Sequence, residues 1–204
     1  MIEFLFSQYT NYDTIDIAFE IIAVLFGLLS VFFALKNNIL VYPTGLVSTI
    51  IYVYLLNKWG LIGDMLINGY YTTMSIYGWF LWTRKNDNQV EYPISWANKK
   101  EWINTFVIFI VTILFVILIY HWFDKFNDWT AYIDTFTTGI FFVGMWLMAK
   151  RKIENWIFWI VGDIVSVPLY FYKGFTFSSL QFLIFTIVAI FGYLEWKRIL
   201  QQKI

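Results

Sequence analysis

The sequence predicts an all-α integral membrane protein with seven transmembrane helices in a 3+1+3 plan, two parallel three-helix repeats joined by a connecting helix. The first observation is composition: 60% of the 204 residues are hydrophobic, 23% are aromatic and only 14% are charged. Mean hydropathy is +0.64, and so few polar side chains cannot cover the surface of a soluble globule. The second observation is a set of seven long apolar segments, and the third is a residue pattern that recurs in the two halves. A single membrane domain over 1–204 is therefore expected.

Seven segments are long and apolar enough to span a bilayer. A spanning helix needs about 20 mostly apolar residues, because each residue advances the helix by about 1.5 Å across roughly 30 Å of hydrocarbon. In chain order the segments are 17–35, 38–57, 61–82, 102–123, 130–149, 153–172 and 175–196. The first repeat is expected over 17–83, the connector over 102–123 and the second repeat over 130–198. The longest hydrophilic connection, 84–101, separates the first repeat from the connector.

Basic residues predict the orientation of these helices. With seven crossings, eleven of the fourteen Lys and Arg residues fall on one side: Lys36, Arg84, Lys85, Lys99, Lys100, Lys150, Arg151, Lys152, Lys197, Arg198 and Lys203. Only Lys58, Lys125 and Lys173 fall on the other side. Because short loops rich in Lys and Arg stay in the cytoplasm, the N-terminus is expected outside and the C-terminus in the cytoplasm.

A repeated pattern indicates that the two halves are duplicated. "NILVYPTG", Asn38 to Gly45, and "NWIFWIVG", Asn155 to Gly162, share an Asn, an aromatic residue four positions on and a Gly three beyond it. This alignment places Tyr42 at the position of Trp159. Further matches follow downstream after one three-residue gap: Gly60 with Gly174, Gly78 with Gly192, Trp82 with Trp196 and Arg84 with Arg198. Since one crossing separates the two units, the repeats are expected to be parallel.

The sixth segment carries the strongest candidate site. At about 100° per residue, Trp156, Trp159, Asp163, Ser166 and Tyr170 form one stripe on a helix, and the opposite face is Ile, Phe and Val. Asp163 lies at the middle of the segment, where a carboxylate facing lipid costs about 2.5–3.5 kcal/mol even on lenient insertion scales. It is therefore expected to face protein or a water-filled cavity.

A carboxylate beside two tryptophans suits a flat organic cation. Indole faces attract cations by roughly 0.5–2 kcal/mol each and also stack on aromatic rings, while the carboxylate supplies charge or accepts hydrogen bonds. The alternative is a structural Asp capped by a Ser or Tyr, with the tryptophans serving as packing. The pattern alone leaves both open.

Weaker candidates lie on the second, third and seventh segments. Asn68 and Tyr71 share a face of the third segment with Ser75 and would line the same cavity. Gln181 lies near the equivalent point of the seventh segment, and Tyr42 is included through the repeat alignment. For Asn68 and Gln181, a hydrogen bond between helices explains the residue equally well.

Other function classes find little support. The chain has no Cys and one His, and no glycine-rich phosphate loop, so neither an enzyme nor a cofactor or metal is expected. The basic residues form short loop clusters rather than one face, which does not favour nucleic-acid binding. A membrane receptor or structural subunit, and an ion-coupled carrier using Asp163, stay as alternatives. Association into a homo-oligomer is left open.

The stretch "WIFWIVGD" resembles the WxxWxxx(N/D) motif of the PnuC family of nicotinamide riboside transporters, with Trp156, Trp159 and Asp163 at the defined positions. The 3+1+3 plan, "KGF" at the start of the last segment and "GW" near the end of the third are also similar, and the resemblance runs from Ile17 to Arg198. It implies a fold like that of the SWEET sugar transporters, in a bacterial inner membrane.

The resemblance also implies an activity. This is facilitated diffusion, by alternating access, of an unphosphorylated vitamin precursor such as nicotinamide riboside, which a cytoplasmic kinase then traps for NAD synthesis. Related members carry thiamin or riboflavin. Nicotinamide riboside and thiamin are both cationic and suit a Trp, Trp, Asp site, whereas the larger, neutral riboflavin suits it less.

Overall fold

The described part of the chain forms seven long helices, as the sequence predicts. The computed structural model describes residues 13–59, 62–86, 89–90, 92–124, 126, 128–173 and 176–202. The helices are α1 (Thr14–Leu35), α2 (Val41–Lys58), α3 (Ile62–Thr83), α4 (Lys99–Trp122), α5 (Thr130–Ala149), α6 (Asn155–Tyr172) and α7 (Thr176–Gln201). A short antiparallel hairpin that the sequence analysis did not predict, β1 (Lys85–Asn86) with β2 (Gln89–Val90), follows α3.

Four of the helices are long and apolar enough to cross a membrane on length and composition alone, namely α1, α4, α5 and α7 over Ser178–Gln201. Together, the other three helices contain more Tyr, Thr, Asn and Asp residues than these four. In hydrocarbon every polar group needs a partner, and helical threonines find one in their own backbone. Thr49 and Thr73 donate to the carbonyls of Gly45 and Gly69, each at 3.0 Å. Such bonds let polar helices stay in the bilayer.

The six repeat helices form a closed ring. Within each half the helices pack in chain order, α1 on α2 on α3 and α5 on α6 on α7, while α3 packs on α5 and α7 packs on α1. The connector α4 lies outside the ring against α5. Its outer face keeps Phe106 and Leu118 each 67% exposed, which suits contact with lipid.

Corresponding contacts in the two halves correct the repeat alignment. Tyr42 packs edge-on against Trp82, with ring centroids 5.0 Å apart, and Trp156 packs edge-on against Trp196 at 5.5 Å. A Cβ added at Gly78 would lie 2.3 Å from the Tyr42 ring, and one added at Gly192 would lie 2.6 Å from Trp156.

Each residue of the first contact lies 114 positions before its counterpart in the second half. Tyr42 therefore corresponds to Trp156, and its predicted correspondence to Trp159 is wrong. The turns before α2 and α6 follow the same spacing, because Asn37 and Arg151 both have positive φ, 50° and 52°. The sequence alignment was misplaced because it matched the Asn and Gly that both segments contain. Structurally equivalent residues are instead those that pack against the third helix of each half in the same way. The matched pair Gly60 and Gly174 lies outside the described residues.

One end of the ring is sealed by a dense core. This basic end contains the turn 36–40, the connection 84–98 and the turn 150–154. Trp82 on α3 donates its indole N–H to the Ala149 carbonyl on α5 at 3.2 Å, and Trp196 on α7 donates to Ala34 on α1 at 3.0 Å. Each bond joins one half to the other. The main hydrophobic cluster surrounds them and includes Tyr42, Trp156 and Ile153.

The connection between the halves is fastened to the turn before α6. The Ser95 N–H donates to the Arg151 carbonyl at 3.2 Å, and the Ile153 N–H donates back to Ser95 at 3.1 Å. The buried Glu154 carboxylate accepts the Ala97 N–H. A capping box between Asn98 and Glu101 starts α4 at Lys99, earlier than predicted. We call residues 92–98 the strap.

Ion pairs tie the helices together at the opposite end, which we call the acidic end because Asp13, Asp64, Asp124, Asp128 and Asp134 lie there. Lys58 at the end of α2 pairs with Asp16 at the start of α1 at 2.6 Å. Lys173 after α6 pairs with Asp134 near the start of α5. The two halves therefore use the same kind of pair at the same place.

Candidate functional site

The centre of α6 holds a buried carboxyl group, that of Asp163. Asp163 is the ninth of eighteen residues in α6 and is 3% exposed. No hydrogen bond or ion pair joins its carboxylate to another of the described residues, and it lies in a helix dominated by Ile, Val and aromatic side chains. A group of this kind is costly to bury alone, so a ligand is its expected partner.

Aromatic rings from α5, α6 and α7 form a wall beside Asp163. The Trp159 indole stacks on Phe141 with ring centroids 5.5 Å apart, and Phe141 lies almost parallel to Phe182, at 6.0 Å and 8°. Phe182 in turn contacts Tyr170 at 4.8 Å. Since Trp159 and Tyr170 belong to the same stripe of α6 as Asp163, the wall runs along that stripe.

Tyr71 completes the site from α3. Its ring lies 6.5 Å from Trp159 and 6.1 Å from Phe142, and the residue lies near Asp163 and Tyr170. The neighbouring Tyr70 stacks on Phe142 at 3.7 Å and donates its hydroxyl to the Phe142 carbonyl at 2.9 Å. This anchor holds α3 against α5 and so fixes Tyr71 at the site.

The Ser166 hydroxyl and the Trp156 indole N–H, both on this stripe of α6, also lack hydrogen-bond partners among the described residues. Ser166 is 1% exposed and its Oγ makes no hydrogen bond. Other helical hydroxyls find a backbone partner, as Thr135 and Thr186 do in their own helices at 2.7 and 2.9 Å. Because Ser166 lies one turn beyond Asp163, the two can contact the same ligand.

The first half shows how a purely structural residue behaves at the position of Asp163. Thr49 lies 114 residues before Asp163, and its hydroxyl accepts a hydrogen bond from Thr72 on α3 at 2.9 Å. The first half therefore uses this position to join two helices. No Ser or Tyr among the described residues caps Asp163 in the same way, which disfavours the structural alternative.

The structure separates the two tryptophans of the motif. Trp156 is 2% exposed and faces α7, against Gly192 and Trp196, whereas Trp159 faces α5 and α3. The predicted cage of two indoles around one ligand is not formed here. The reason is that the two side chains lie about 60° apart around α6, and different helices occupy those directions.

The remaining candidates lie apart from Asp163. Tyr42 is fully buried in the basic-end core. Asn68 donates its side-chain amide to the Asp64 carbonyl of its own helix at 3.0 Å. Gln181 is half-buried on α7 beside Phe182, and no described contact joins it to Asp163. Of the predicted set, the structure brings together Tyr71, Trp159, Asp163, Ser166 and Tyr170.

Phe141, Phe142 and Phe182 are site residues that the sequence analysis missed. They lie in strongly apolar helices, where a Phe carries no signal that separates a site from packing. Gly162 was the available hint, because a glycine in a helix centre often marks a close approach by another group. Among the described residues, no group of three or more His, Asp and Glu side chains could hold a metal ion.

Comparison with known proteins agrees with this architecture. Residues 17–198 match the sequence model of a family described as nicotinamide mononucleotide transporters. The nicotinamide riboside transporter PnuC of Escherichia coli K12 is 24% identical over 204 residues, covering 87% of this chain and 84% of that protein. The riboflavin/roseoflavin transporter RibM of Streptomyces davaonensis is 25% identical over 128 residues, covering 60% of this chain and 58% of RibM.

A solved structure has the same fold. The crystal structure of the vitamin B3 transporter PnuC superposes with a TM-score of 0.68 at 22% identity, covering 98% of this chain and 90% of that one. The family match and the seven-helix architecture together place the chain in a membrane. The protein belongs to the nicotinamide mononucleotide transporter family and is a membrane transporter, not an enzyme.

Proposed function

We propose that this transporter imports nicotinamide riboside by facilitated diffusion, through alternating access, and so supplies NAD synthesis. Relatives named as nicotinamide riboside transporters cover most of the chain, those of Escherichia coli and Neisseria mucosa reaching 87% and 89% of it. The proposal places the protein in a bacterial inner membrane, with its N-terminus outside and its C-terminus in the cytoplasm.

The burial of Asp163 without a partner among the described residues is the main support for the proposed class of substrate. A central carboxylate that is 3% exposed and unpaired within the described chain is stabilised by a ligand that brings positive charge or hydrogen-bond donors. Nicotinamide riboside brings both, since it has a cationic pyridinium ring and a ribose with free hydroxyls. Asp163 and Ser166, which lie one turn apart on α6, would bind the ribose hydroxyls.

The aromatic residues would bind the ring. Trp159 and Tyr71 contact each other at 6.5 Å beside Asp163, and either face can attract a cationic ring. Tyr170 borders the same space through Phe182. Trp156 and Tyr42 support these residues through core packing, while Asn68 and Gln181 would contact substrate on its way through the ring of helices.

Two arrangements support uncoupled, alternating access. The halves 17–83 and 130–198 meet along two seams, α3 with α5 and α7 with α1, and each seam has one indole hydrogen bond at the basic end. Breaking these bonds would open the site toward the cytoplasm. Ion-coupled carriers tend to cluster several charged ligands in the membrane, and no described side chain forms an ion pair with Asp163.

A ligand panel tests the proposal. Purified protein is heated with nicotinamide riboside, thiamin or riboflavin, and a ligand present at about 100 times its Kd should stabilise the fold by about 2.7 kcal/mol. We expect the unfolding midpoint to rise with nicotinamide riboside, and the rise at the same ligand concentration to be much smaller in Asp163→Leu. Riboflavin is the second candidate because of the likeness to RibM. A rise with riboflavin or thiamin alone would reassign the substrate.

A further inference from the structure

Phe141 makes the tightest contact with α6 in the candidate site. A Cβ added at Gly162 would lie 2.4 Å from Cε1 of Phe141 and 2.9 Å from its Cδ1. The phenyl ring therefore rests directly on the α6 backbone, at the residue before Asp163. Only glycine leaves room for a ring at this distance.

Neighbours on three helices fix the position of this ring. Phe141 projects from α5, stacks on Trp159 of α6 at 5.5 Å and lies nearly parallel to Phe182 of α7 at 6.0 Å. Because α5 and α7 both pack on α6, the Phe141–Phe182 contact crosses in front of α6. It therefore borders the space that Asp163 and Ser166 share.

The first half makes the corresponding helix contact without any ring. Gly27 and Ser48 lie 114 residues before Phe141 and Gly162, and a Cβ added at Gly27 would lie 3.1 Å from Ser48 Oγ. Ser48 donates to the Ala23 carbonyl at 2.8 Å, which joins α2 to α1. Two small residues and a hydrogen bond are thus enough to pack these helices. Helix packing alone therefore does not require the large Phe141 ring in the second half. A role in the neighbouring candidate site would explain it.

We propose that Phe141 is a specificity-determining residue, and that Gly162 positions it. The ring sets how much space lies beside Asp163, so that a single six-membered aromatic ring fits and a fused three-ring system does not. This inference rests on the proposed function, because it concerns the substrate of the same site. Contacts with Trp159 and Phe182 fix the orientation of the Phe141 ring. Because Gly162 has no side chain, the ring can lie directly against the α6 backbone and so leaves the space beside Asp163 free for substrate.

Binding titrations of nicotinamide riboside and riboflavin to purified variants test the proposal. Phe141→Ala should weaken nicotinamide riboside binding about tenfold through lost aromatic contact and should strengthen riboflavin binding. Gly162→Ala should push the ring into the site and weaken nicotinamide riboside binding without admitting riboflavin. Combining the two changes should restore part of what Gly162→Ala loses, since the colliding ring is gone. Phe141→Leu provides a milder variant for the case in which Phe141→Ala does not fold.

Gly69→Ala is the matched control. A Cβ at Gly69 on α3 would meet nothing within 4 Å, so this variant should bind both compounds as the wild type does. If Phe141 only packs helices, its variants will lower the unfolding midpoint and leave the ratio of the two affinities unchanged, which would overturn the inference while nicotinamide riboside still binds. If the wild type does not bind nicotinamide riboside at all, the proposed function fails, and this inference fails with it.

Discussion

Asp163 differs from the other buried acidic side chains in having no partner among the residues that the structure describes. Asp16 is equally buried but pairs with Lys58 at 2.6 Å, and Glu154 accepts the N–H of Ala97 at 2.8 Å. Both serve the fold by joining segments. A third acid of the same burial that joins nothing in the described chain is better explained by a ligand than by stability.

The role of the Asp163 charge can be measured by substitution. We expect Asp163→Asn to keep most of the affinity for nicotinamide riboside, because an amide still accepts hydrogen bonds from ribose hydroxyls. Asp163→Leu should lose about 1.5–3 kcal/mol of binding, the usual worth of hydrogen bonds to a charged group. Titration of both variants checks this. Equal affinity in the wild type and Asp163→Leu would remove Asp163 from the site.

Trp159 should contribute to binding rather than to folding. Its indole borders Tyr71 and Phe141 at the site, so Trp159→Ala should weaken binding by about 1–3 kcal/mol, and Trp159→Phe should retain part of the affinity. Trp79, which is 39% exposed on α3, gives a matched control in Trp79→Ala. A loss of the same size in the control would mean that the effect is not specific to the site.

The sequence was sufficient to identify the α6 stripe and Asp163 but not the neighbours of each side chain. Trp156 and Trp159 belong to one motif and one apolar stripe, and helical periodicity cannot tell which of them faces the core. Packing decides this: α7 presents Gly192, a gap that the Trp156 ring fills. The phenylalanines of the wall were hidden for the related reason that aromatic residues are common throughout a membrane helix.

At the scale of helices, each half depends on a glycine that accepts a large ring. The Tyr42 ring packs against Gly78, and the Trp156 ring packs against Gly192. A Cβ added at either glycine would lie only 2.3 or 2.6 Å from the ring, respectively. The sequence matched these two glycines correctly. It misplaced Tyr42 because "NxxxYxxG" at the start of α2 resembles "NxxxWxxG" at the start of α6, and one-dimensional similarity does not report which residue packs into the gap.

Alanine at these two glycines should therefore destabilise the protein. Gly78→Ala and Gly192→Ala should each cost about 1–3 kcal/mol, because overpacking against a rigid ring outweighs the gain of about 1 kcal/mol in helix propensity. Thermal unfolding in detergent measures the effect. Gly69→Ala, which gains the propensity without a collision, should be neutral or slightly stabilising. If all three variants behave alike, the rings do not fill these gaps.

The strap also lies beyond what the sequence could predict. Residues 92–98 lack periodicity, and their partners in the turn 150–154 are distant along the chain. Their contacts depend on backbone N–H and carbonyl groups, as in the Ser95 bonds to Arg151 and Ile153, which any residue type can make. In this region, only the capping pair Asn98 and Glu101 forms a pattern that can be recognised in the sequence.

Across the whole molecule, the two ends differ in charge and in packing. The basic end has the dense core, the strap and both indole bonds, while the described acidic end is joined by ion pairs at its rim. Under the proposed orientation, the basic end faces the cytoplasm and the acidic end faces the outside.

Cysteine labelling tests the orientation directly, because the chain contains no Cys and background labelling is absent. Lys100→Cys, at the exposed start of α4, should react with an impermeant maleimide only after the cells are permeabilised. His121→Cys, at the exposed far end of the same helix, should react in intact cells. The opposite pattern would invert the proposed topology.

Uptake into liposomes tests the central claim most directly. Purified protein is reconstituted without ATP or an ion gradient, and labelled nicotinamide riboside is supplied outside. We predict saturable uptake that stops when the inner and outer concentrations are equal. Unlabelled nicotinamide riboside should compete with the labelled compound, and Asp163→Leu should need a much higher substrate concentration for the same uptake rate. Uptake no faster than in protein-free liposomes, by protein that is folded at the assay temperature, would contradict the account.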